Sequence, residues 1–443
     1  MYCARNIDKD LTEWMLSKNR KPLMIRGARQ VGKSSSVKNL SKNFKYFVEI
    51  NFDENPQYSQ LFEQKLSVTE ICEQISLISN TPVKPGETLL FFDEIQACIP
   101  AISMLRYFYE KEPALHVISA GSLLEFALSE IPSFGVGRVR SLFMYPLSFS
   151  EFLLALGEKK LNDEISNATN TKPLHELVHH KLILYYKKFL VIGGMPEAVS
   201  KYVTSGDLLE VQRVLNDLVI AVQADFSKYK SRVTAARLQE VFNAIALQMG
   251  QKFTYSYPNT TQTIAQVKEA IALLKMAGLV FAVTHTSSNG IPLGATINVK
   301  KTKYLIFDTG IFQRILGLNI SDLMLSDDLN VVNKGSIAEL YVGLELLKSE
   351  SSYQKTELYY WQREAKNSQA EVDYVIQSDR EIVPLEVKSG SKGSMQSLFL
   401  FLKEKNVKIG CRISLENFST LQQLLIIPLY ATHRLSHLLK NMF

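Results

Sequence analysis

Three groups of side chains in this sequence have the types and spacing to do chemistry. The first is Gly27-Ala28-Arg29-Gln30-Val31-Gly32-Lys33-Ser34, which fills G-x-x-x-x-G-K-[ST] at every fixed position. Between an apolar run (22–25) and a helix opening at Ser34, such a loop lines up backbone N–H groups at a helix N-terminus and binds phosphate. Gly27 and Gly32 permit the tight turn. Lys33 would reach the β- and γ-phosphates and the hydroxyl of Ser34 would hold Mg²⁺, with Ser35 counted in the same phosphate-binding set.

The second group lies on the run 88–94, TLLFFDE. A strand buried on both faces of a parallel sheet reads as a continuous apolar run. Its carboxyl edge would present Asp93 to the same Mg²⁺, and Glu94 to the attacking water. A further strand at 115–119 ends in Ala120-Gly121-Ser122, where Ser119 and Ser122 are candidates for sensing the γ-phosphate; a plain strand-to-helix turn is the alternative. Arg138, in the glycine-bearing basic loop 135–140, would act on the charge developing on phosphate, in its own chain or a neighbour's. The alternative is a surface arginine.

The third group is Glu339, Asp373, Glu386 and Lys388. Glu386 and Lys388 are two apart on an expected strand, so they project from one face. Asp373 lies on the partner strand of an expected hairpin, and Glu339, on a helix upstream, would add a third carboxylate. Asp373 and Glu386 would hold Mg²⁺, a hard cation that prefers oxygen, and the lysine would orient or activate water for in-line attack on a phosphodiester. A surface hairpin with ordinary ion pairs is the alternative.

The chain that must carry these groups has 443 residues, too long for one core. Hydrophobic content of 46% and charged content of 21% belong to an ordinary globular protein. No uncharged apolar run approaches the length of a membrane span, and the opening MYCARNIDKD has no apolar core, so neither a membrane location nor a secretory signal is expected. Cys3, Cys72, Cys98 and Cys411 lie far apart with no C-x-x-C pair, which favours reduced thiols in a cytoplasmic protein. His175/His179 and His433/His437 have i, i+4 spacing but no third ligand in view, and read as solvated helix faces. Lys+Arg and Asp+Glu balance at 17 each in 1–155, stand at 16 against 11 in 156–300, and at 17 against 16 in 301–443. This mild basic excess in the middle hints at an anionic partner without amounting to a nucleic-acid footprint.

Strand and helix cues alternate through residues 1–157, which predicts a doubly wound parallel α/β domain with strands at 22–25, 44–52, 88–93 and 115–119 and helices at 10–19 and 56–79. Residues 158–230 read as a helical lid, with a polar linker at 161–172 and helices at 174–191 and 206–221. In 231–300 helices at 237–249 and 263–277, joined by a polar turn at 257–261, precede strands at 279–286 and 295–299. That is the order of a winged helix. DNA would meet the 263–277 helix, although its Lys268, Glu269 and Lys275 are weak equipment for a groove, and a packing or subunit-contact module is the alternative. In 301–443 a strand at 303–307, helices at 308–317 and 335–347, and strands at 358–362, 371–376 and 382–388 predict an α/β domain.

RGARQVGKS, LLFFDEIQ, SAGS and GRVRSLFMYPLSFSEF together resemble a family of prokaryotic AAA+-type ATPases that pair the ATPase with a C-terminal domain of unknown function. YPLSF (145–149) and GGMPE (193–197) match that family's habits too. The resemblance runs through essentially the whole chain and is strongest over 20–150. It implies ATP binding and hydrolysis with Mg²⁺, at Gly27–Ser34 and Asp93-Glu94. One departure is serine at position 34, where the family more often has threonine; the hydroxyl is the same. The Glu339/Asp373/Glu386/Lys388 pattern resembles the PD-(D/E)-x-K restriction-endonuclease-like superfamily, which implies a Mg²⁺-dependent nuclease-like domain. The expectation is an ATPase driving a domain that acts on or binds DNA, in a homo-oligomer if Arg138 acts between chains. The alternative is a nucleotide-gated switch or scaffold with an inert C-terminal domain.

Overall fold

The structure, a computed structural model, describes residues 2–64, 66–131, 137–229, 233–256, 263–318, 334–349, 351–365, 369–390 and 393–440. Gly135 and Val136 of the basic loop, the 257–261 turn, and Lys230 to Arg232 lie outside them. The chain divides into two compact units: Met1–Pro146 with Met276–Gly278 and Ser351–Lys355, and Leu147–Lys275 with Leu279–Glu350 and Thr356–Phe443.

Unit 1 is built on five strands: β1 (Leu23–Arg26), β2 (Tyr46–Asn51), β3 (Thr88–Asp93), β4 (His116–Ala120) and β5 (Arg140–Phe143). They lie in the order β2-β3-β4-β1-β5, every pairing parallel. All six residues of β3 are buried, which is why that strand is apolar from end to end. Phe52, Phe62, Phe92 and Phe108 pack edge-on or tilted on one side of the sheet, with ring centroids 5.5 to 5.9 Å apart. The helix expected over 56–79 is broken. A 3₁₀ turn (Pro56–Ser59) and a single turn (Gln60–Glu63) precede a new helix, Val68–Ser79. Ser67 and Glu70 open that helix with reciprocal side-chain-to-backbone bonds, a capping box that satisfies its own amides and so starts a fresh element.

His116, at the start of β4, is 5% exposed between the rings of Trp14 and Phe44. Burial, with Arg20 nearby, lowers its pKa to about 4. A histidine depressed in the folded state binds protons preferentially when unfolded. Its contribution is therefore complete above about pH 6.5 and is lost as pH falls toward 4. Urea melts of wild type and His116→Gln between pH 7 and 4.5 should show a steeper loss in the wild type; parallel curves would refute the assignment.

Unit 2 carries eight further strands: β6 (Val280–Thr286), β7 (Ile297–Ile306), β8 (Leu358–Gln362), β9 (Glu371–Ser378), β10 (Glu381–Val387), β11 (Gly410–Ser414), β12 (Ser419–Leu421) and β13 (Leu424–Pro428). They form one mixed sheet in the order β12-β13-β11-β10-β9-β8-β6-β7. The β9–β10 hairpin expected around residues 378–381 forms, with Asp379 in the left-handed region at its tip. The β6–β7 hairpin is no free-standing wing. Strands expected at 295–299 and 303–307 are one strand, β7, across the anticipated 300/301 boundary, and β6 pairs with β8 on its other edge. Helices-then-hairpin is the same local order in either case; only the long-range β6–β8 pairing separates them. The polar linker expected at 161–172 contains a helix, Lys159–Asn167, which buries Leu161 and Ile165 one turn apart. The helix Pro196–Ser205 was not anticipated.

The two motifs at 145–149 and 193–197 are explained within unit 2 from Leu147 onward. Gly194 faces Leu147 backbone to backbone: its carbonyl accepts from Leu147 N at 2.6 Å, and a Cβ on Gly194 would lie 2.3 Å from Leu147 O. Asp308, buried, accepts from Gly194 N at 2.6 Å and caps the helix Thr309–Ile315. His179, expected on a solvated face, is 5% exposed and bonds the Tyr430 hydroxyl (2.8 Å) and the Leu415 carbonyl (3.1 Å), because its helix packs that side inward. All four cysteines are buried, and none is in a disulfide. Among the described residues no helix is long and apolar enough to cross a membrane.

Candidate functional sites

The Gly27–Ser34 segment joins the carboxyl end of β1 to the helix Lys33–Ser41, at the sheet edge where ligands bind in open α/β folds. Gly27 (φ +152°) has no room for a side chain, since a Cβ would sit 2.1 Å from Met144 O. Gly32, at φ +100°, caps the helix in the left-handed region, and Gln30 (φ +62°) shares that conformation at the loop's crown. Ala28 and Val31 are buried beneath the loop, while Arg29 is half-buried and Gln30 and Ser35 are exposed. Lys33 is buried and folds back over its own loop, donating to the carbonyls of Gly27 (3.1 Å) and Ala28 (2.7 Å). Burial lowers its pKa to about 8 against the opposing pull of Glu94 and Asp93. Met276–Gly278 belongs to this unit, and Gly278 (φ +72°) lies so close to the loop that a Cβ would be 3.1 Å from Ala28 N. No motif marks that glycine.

Asp93, at the carboxyl end of β3, is buried, and burial raises its pKa. Its Oδ2 accepts from the Ser34 hydroxyl at 2.8 Å, and its Oδ1 from Glu94 N at 3.1 Å. A hydroxyl and a carboxylate brought together from two elements make a hard-oxygen pair of the kind Mg²⁺ prefers, so the residues present fit that ion. Glu94 follows at φ +48°, a conformation few non-glycine residues adopt, and one often kept where function needs it. Its Oε2 accepts from Gln96 Nε2 (2.6 Å), from Ser122 Oγ (3.3 Å) and, weakly, from Ser122 N (3.4 Å). Gln96 went unread in the sequence, although it stands in the same LLFFDEIQ stretch. The Gly121 Cα is its counterpart: a Cβ there would meet Gln96 Oε1 at 2.0 Å.

Two sequence expectations change here. Ser119 is buried and its hydroxyl is spent on the β1 backbone, donating to Leu23 O at 3.0 Å, because it points along the sheet rather than off its end. Ser122 alone keeps company with the loop's acids. Arg138 lies just before β5, whose first residue, Arg140, is in register with Leu23, the first residue of β1. In a parallel sheet that is the end opposite the loop, so the reading in which Arg138 reaches its own chain's phosphate is overturned by strand direction. Its guanidinium is half-exposed and pairs with Glu110 at 3.0 Å.

In unit 2 Asp373 and Glu386 lie on the adjacent strands β9 and β10. Glu386 sits near the end of β10 and Lys388 just past it, with Lys388 Nζ 2.6 Å from Glu386 Oε1. Asp373 on β9 accepts from Val387 N at 2.7 Å. Glu339, buried on the helix Lys334–Ser349, pairs with Lys303 of β7 at 2.9 Å. Lys303 also holds Glu371 at 2.6 Å. Neither Lys303 nor Glu371 was foreseen, since no pattern links them to the others. Burial pushes Glu386 up to about 7, and Asp373 adds to the effect. Burial, Asp373 and Glu371 push Glu339 upward too, against the Lys303 ammonium. The Glu386 Oε2 is buried with no hydrogen-bond partner among the described residues, an orphaned oxygen that suits a cation. No cluster of three or more metal-ligating side chains occurs among the described residues, and Mg²⁺ can take one or two carboxylates and fill its remaining positions with water or phosphate.

Residues 19–153 match the family described as "AAA domain", 183–322 the family described as "Domain of unknown function (DUF8612)", and 334–431 "Domain of unknown function (DUF4143)". No curated protein matches the chain in sequence. Among solved structures, the Walker-type ATPase PABY2304 of Pyrococcus abyssi is similar over 72% of this chain and 96% of its own, at 15% identity and a TM-score of 0.43. A signal-transduction ATPase with numerous domains from Pyrococcus horikoshii, PH0952, is similar over 76% of this chain and 44% of its own, at 12% identity and a TM-score of 0.26. The Drosophila ORC bound to DNA follows at 14% identity, 71% and 85% coverage, and a TM-score of 0.27. The N-terminal region is an AAA-type P-loop ATPase domain within an α/β chain.

Proposed function

We propose that this chain binds and hydrolyses ATP at Gly27–Ser34, and that the nucleotide state governs a Mg²⁺-dependent, restriction-endonuclease-like site in unit 2 that acts on nucleic acid. The observation that carries the ATPase half is the 2.8 Å contact between Ser34 Oγ and Asp93 Oδ2 beside Glu94. Loop amides and Lys33 would hold the β- and γ-phosphates, while Ser34 and Asp93 would hold Mg²⁺, which when bound neutralises charge on those phosphates. The Glu94 carboxylate would take the proton of the water whose oxygen attacks the γ-phosphorus as the bond to ADP breaks. Arg138, lying at the far end of its own sheet, would serve a neighbouring copy's nucleotide, which makes the working form a homo-oligomer.

The nuclease-like half rests on the orphaned Glu386 Oε2 beside Asp373 and Lys388. A second reading, an inert or purely binding domain, is favoured by one observation: two lysines already neutralise Glu339, Glu371 and Glu386. ATP turnover at increasing protein concentration, with and without single-stranded, duplex and branched DNA, tests the whole. Turnover per chain should rise with concentration and with one DNA form. A rate flat in concentration removes the Arg138 role, and indifference to every DNA form removes nucleic acid as the partner.

A further inference from the structure

The lysine that no motif announced is almost fully buried in unit 2. Lys303 is 1% exposed, on β7, with its ammonium 2.9 Å from Glu339 Oε1 and 2.6 Å from Glu371 Oε1. The Tyr360 ring, itself fully buried, lies 5.0 Å beneath it. A buried ammonium with two carboxylates and an aromatic face around it occupies the kind of position a metal ion takes, among anionic oxygens. The surroundings hold that arrangement in place. Gly250 crowds the other oxygen of Glu339, since a Cβ there would lie 2.9 Å from Oε2. Tyr374 donates to the Glu339 carbonyl at 2.8 Å, tying the helix to β9. The cost of burying Lys303 is outweighed by the attraction of Glu339, Glu371 and Asp373, which keeps its pKa above that of an ordinary lysine. Glu386 is different: Lys388 takes one oxygen, and the other has no hydrogen-bond partner among the described residues.

We propose that the Lys303 ammonium is a built-in cation filling one of two cation positions among these carboxylates, so that the site accepts a single divalent ion, on Asp373 and Glu386. Glu339, although it stands where a third ligand would be expected, is then a partner of Lys303 and not a metal ligand. The inference rests on the proposed cation site and sets its capacity: one divalent ion rather than two. It also assigns Lys303 as a positioning residue, acting on the site through Glu339 and Glu371.

The test is Mn²⁺ binding to the nucleotide-free full chain, read by calorimetry and by thermal shift. Wild type should bind one ion, and Glu339→Gln should bind one with affinity changed less than about threefold. Lys303→Ala should bind two, because Glu339 and Glu371 are released to hold the second. The double variant Lys303→Met/Glu339→Gln, which removes both charges of the buried pair, should return to one. Should Lys303→Ala fold only weakly, Mn²⁺ should raise its melting temperature by more than it raises that of wild type. The proposal is overturned if Glu339→Gln loses the wild-type ion, or if Lys303→Ala gains neither an ion nor an added thermal shift. A wild type that binds no Mn²⁺, with Lys303→Ala binding one, would instead remove the Asp373/Glu386 site while leaving the role of Lys303 standing.

Discussion

Lys33→Ala is expected to weaken ATP binding and to cut turnover by on the order of 10²–10³-fold, the scale for removing one charged donor from a phosphate-stabilising site. The lysine is buried and already anchored on the loop it serves, bonded to the carbonyls of Gly27 and Ala28. Its ammonium therefore stands over the turn whose amides would meet phosphate, and no neighbouring side chain repeats that placement. Lys33→Arg is expected to fail as well, because a planar guanidinium cannot follow the path of a narrow ammonium stem enclosed by backbone. Nucleotide binding followed by fluorescence and phosphate release followed by a coupled assay check both. A melting curve of each variant, read alongside, separates loss of phosphate binding from loss of fold. Turnover at the wild-type rate in Lys33→Ala would mean that phosphate is handled elsewhere.

The second large effect is at Asp373. Asp373→Asn is expected to lower Mn²⁺ affinity in the nucleotide-free chain by about 10²-fold or more and to end any cleavage of DNA, with ATP turnover spared. The choice of asparagine matters. The Asp373 carboxylate accepts from Val387 N at 2.7 Å and so also fastens the end of β10. Alanine would remove charge and hydrogen bond together, leaving a buried amide unsatisfied at a cost of about 1–3 kcal/mol. Asparagine keeps an acceptor oxygen and removes only the charge. A normal melt with lost Mn²⁺ binding identifies Asp373 as a ligand; a normal melt with unchanged binding makes it a fastener of β10 alone.

What the sequence revealed followed from how local each feature is. The Gly27–Ser34 loop and the end of β3 were legible because their chemistry dictates residue types at fixed spacing, on elements a few residues long. The β9–β10 hairpin was legible because its turn and its alternating faces lie within one short stretch. Features made by distant partners were not. Lys303 meets Glu339 and Glu371 only after β7, the helix Lys334–Ser349 and β9 have come together, and an isolated lysine on a strand carries no mark of that. The β6–β7 hairpin was mistaken for a wing for the same reason: its second partner, β8, lies more than fifty residues onward. Composition misled at 159–167, where asparagine and charge suggested a linker although Leu161 and Ile165 already gave a helical face. Arg138 shows the opposite case, where the residue was found and its reach was not, because strand order and direction decide which end of the sheet it occupies.

The proposed hydrolysis turns on Glu94. The carboxylate is held by Gln96 and Ser122 from a strained backbone position, next to the Asp93 that meets Ser34. A carboxylate fixed there is suited to receive a proton and contributes little to holding nucleotide. The most direct measurement is ATP affinity and ATP turnover side by side in Glu94→Gln, which keeps the shape and the acceptor oxygen but not the basicity. The account predicts affinity within about threefold of wild type and turnover lowered by about 10²–10³-fold. Wild-type turnover in Glu94→Gln, or loss of binding in step with activity, would contradict it.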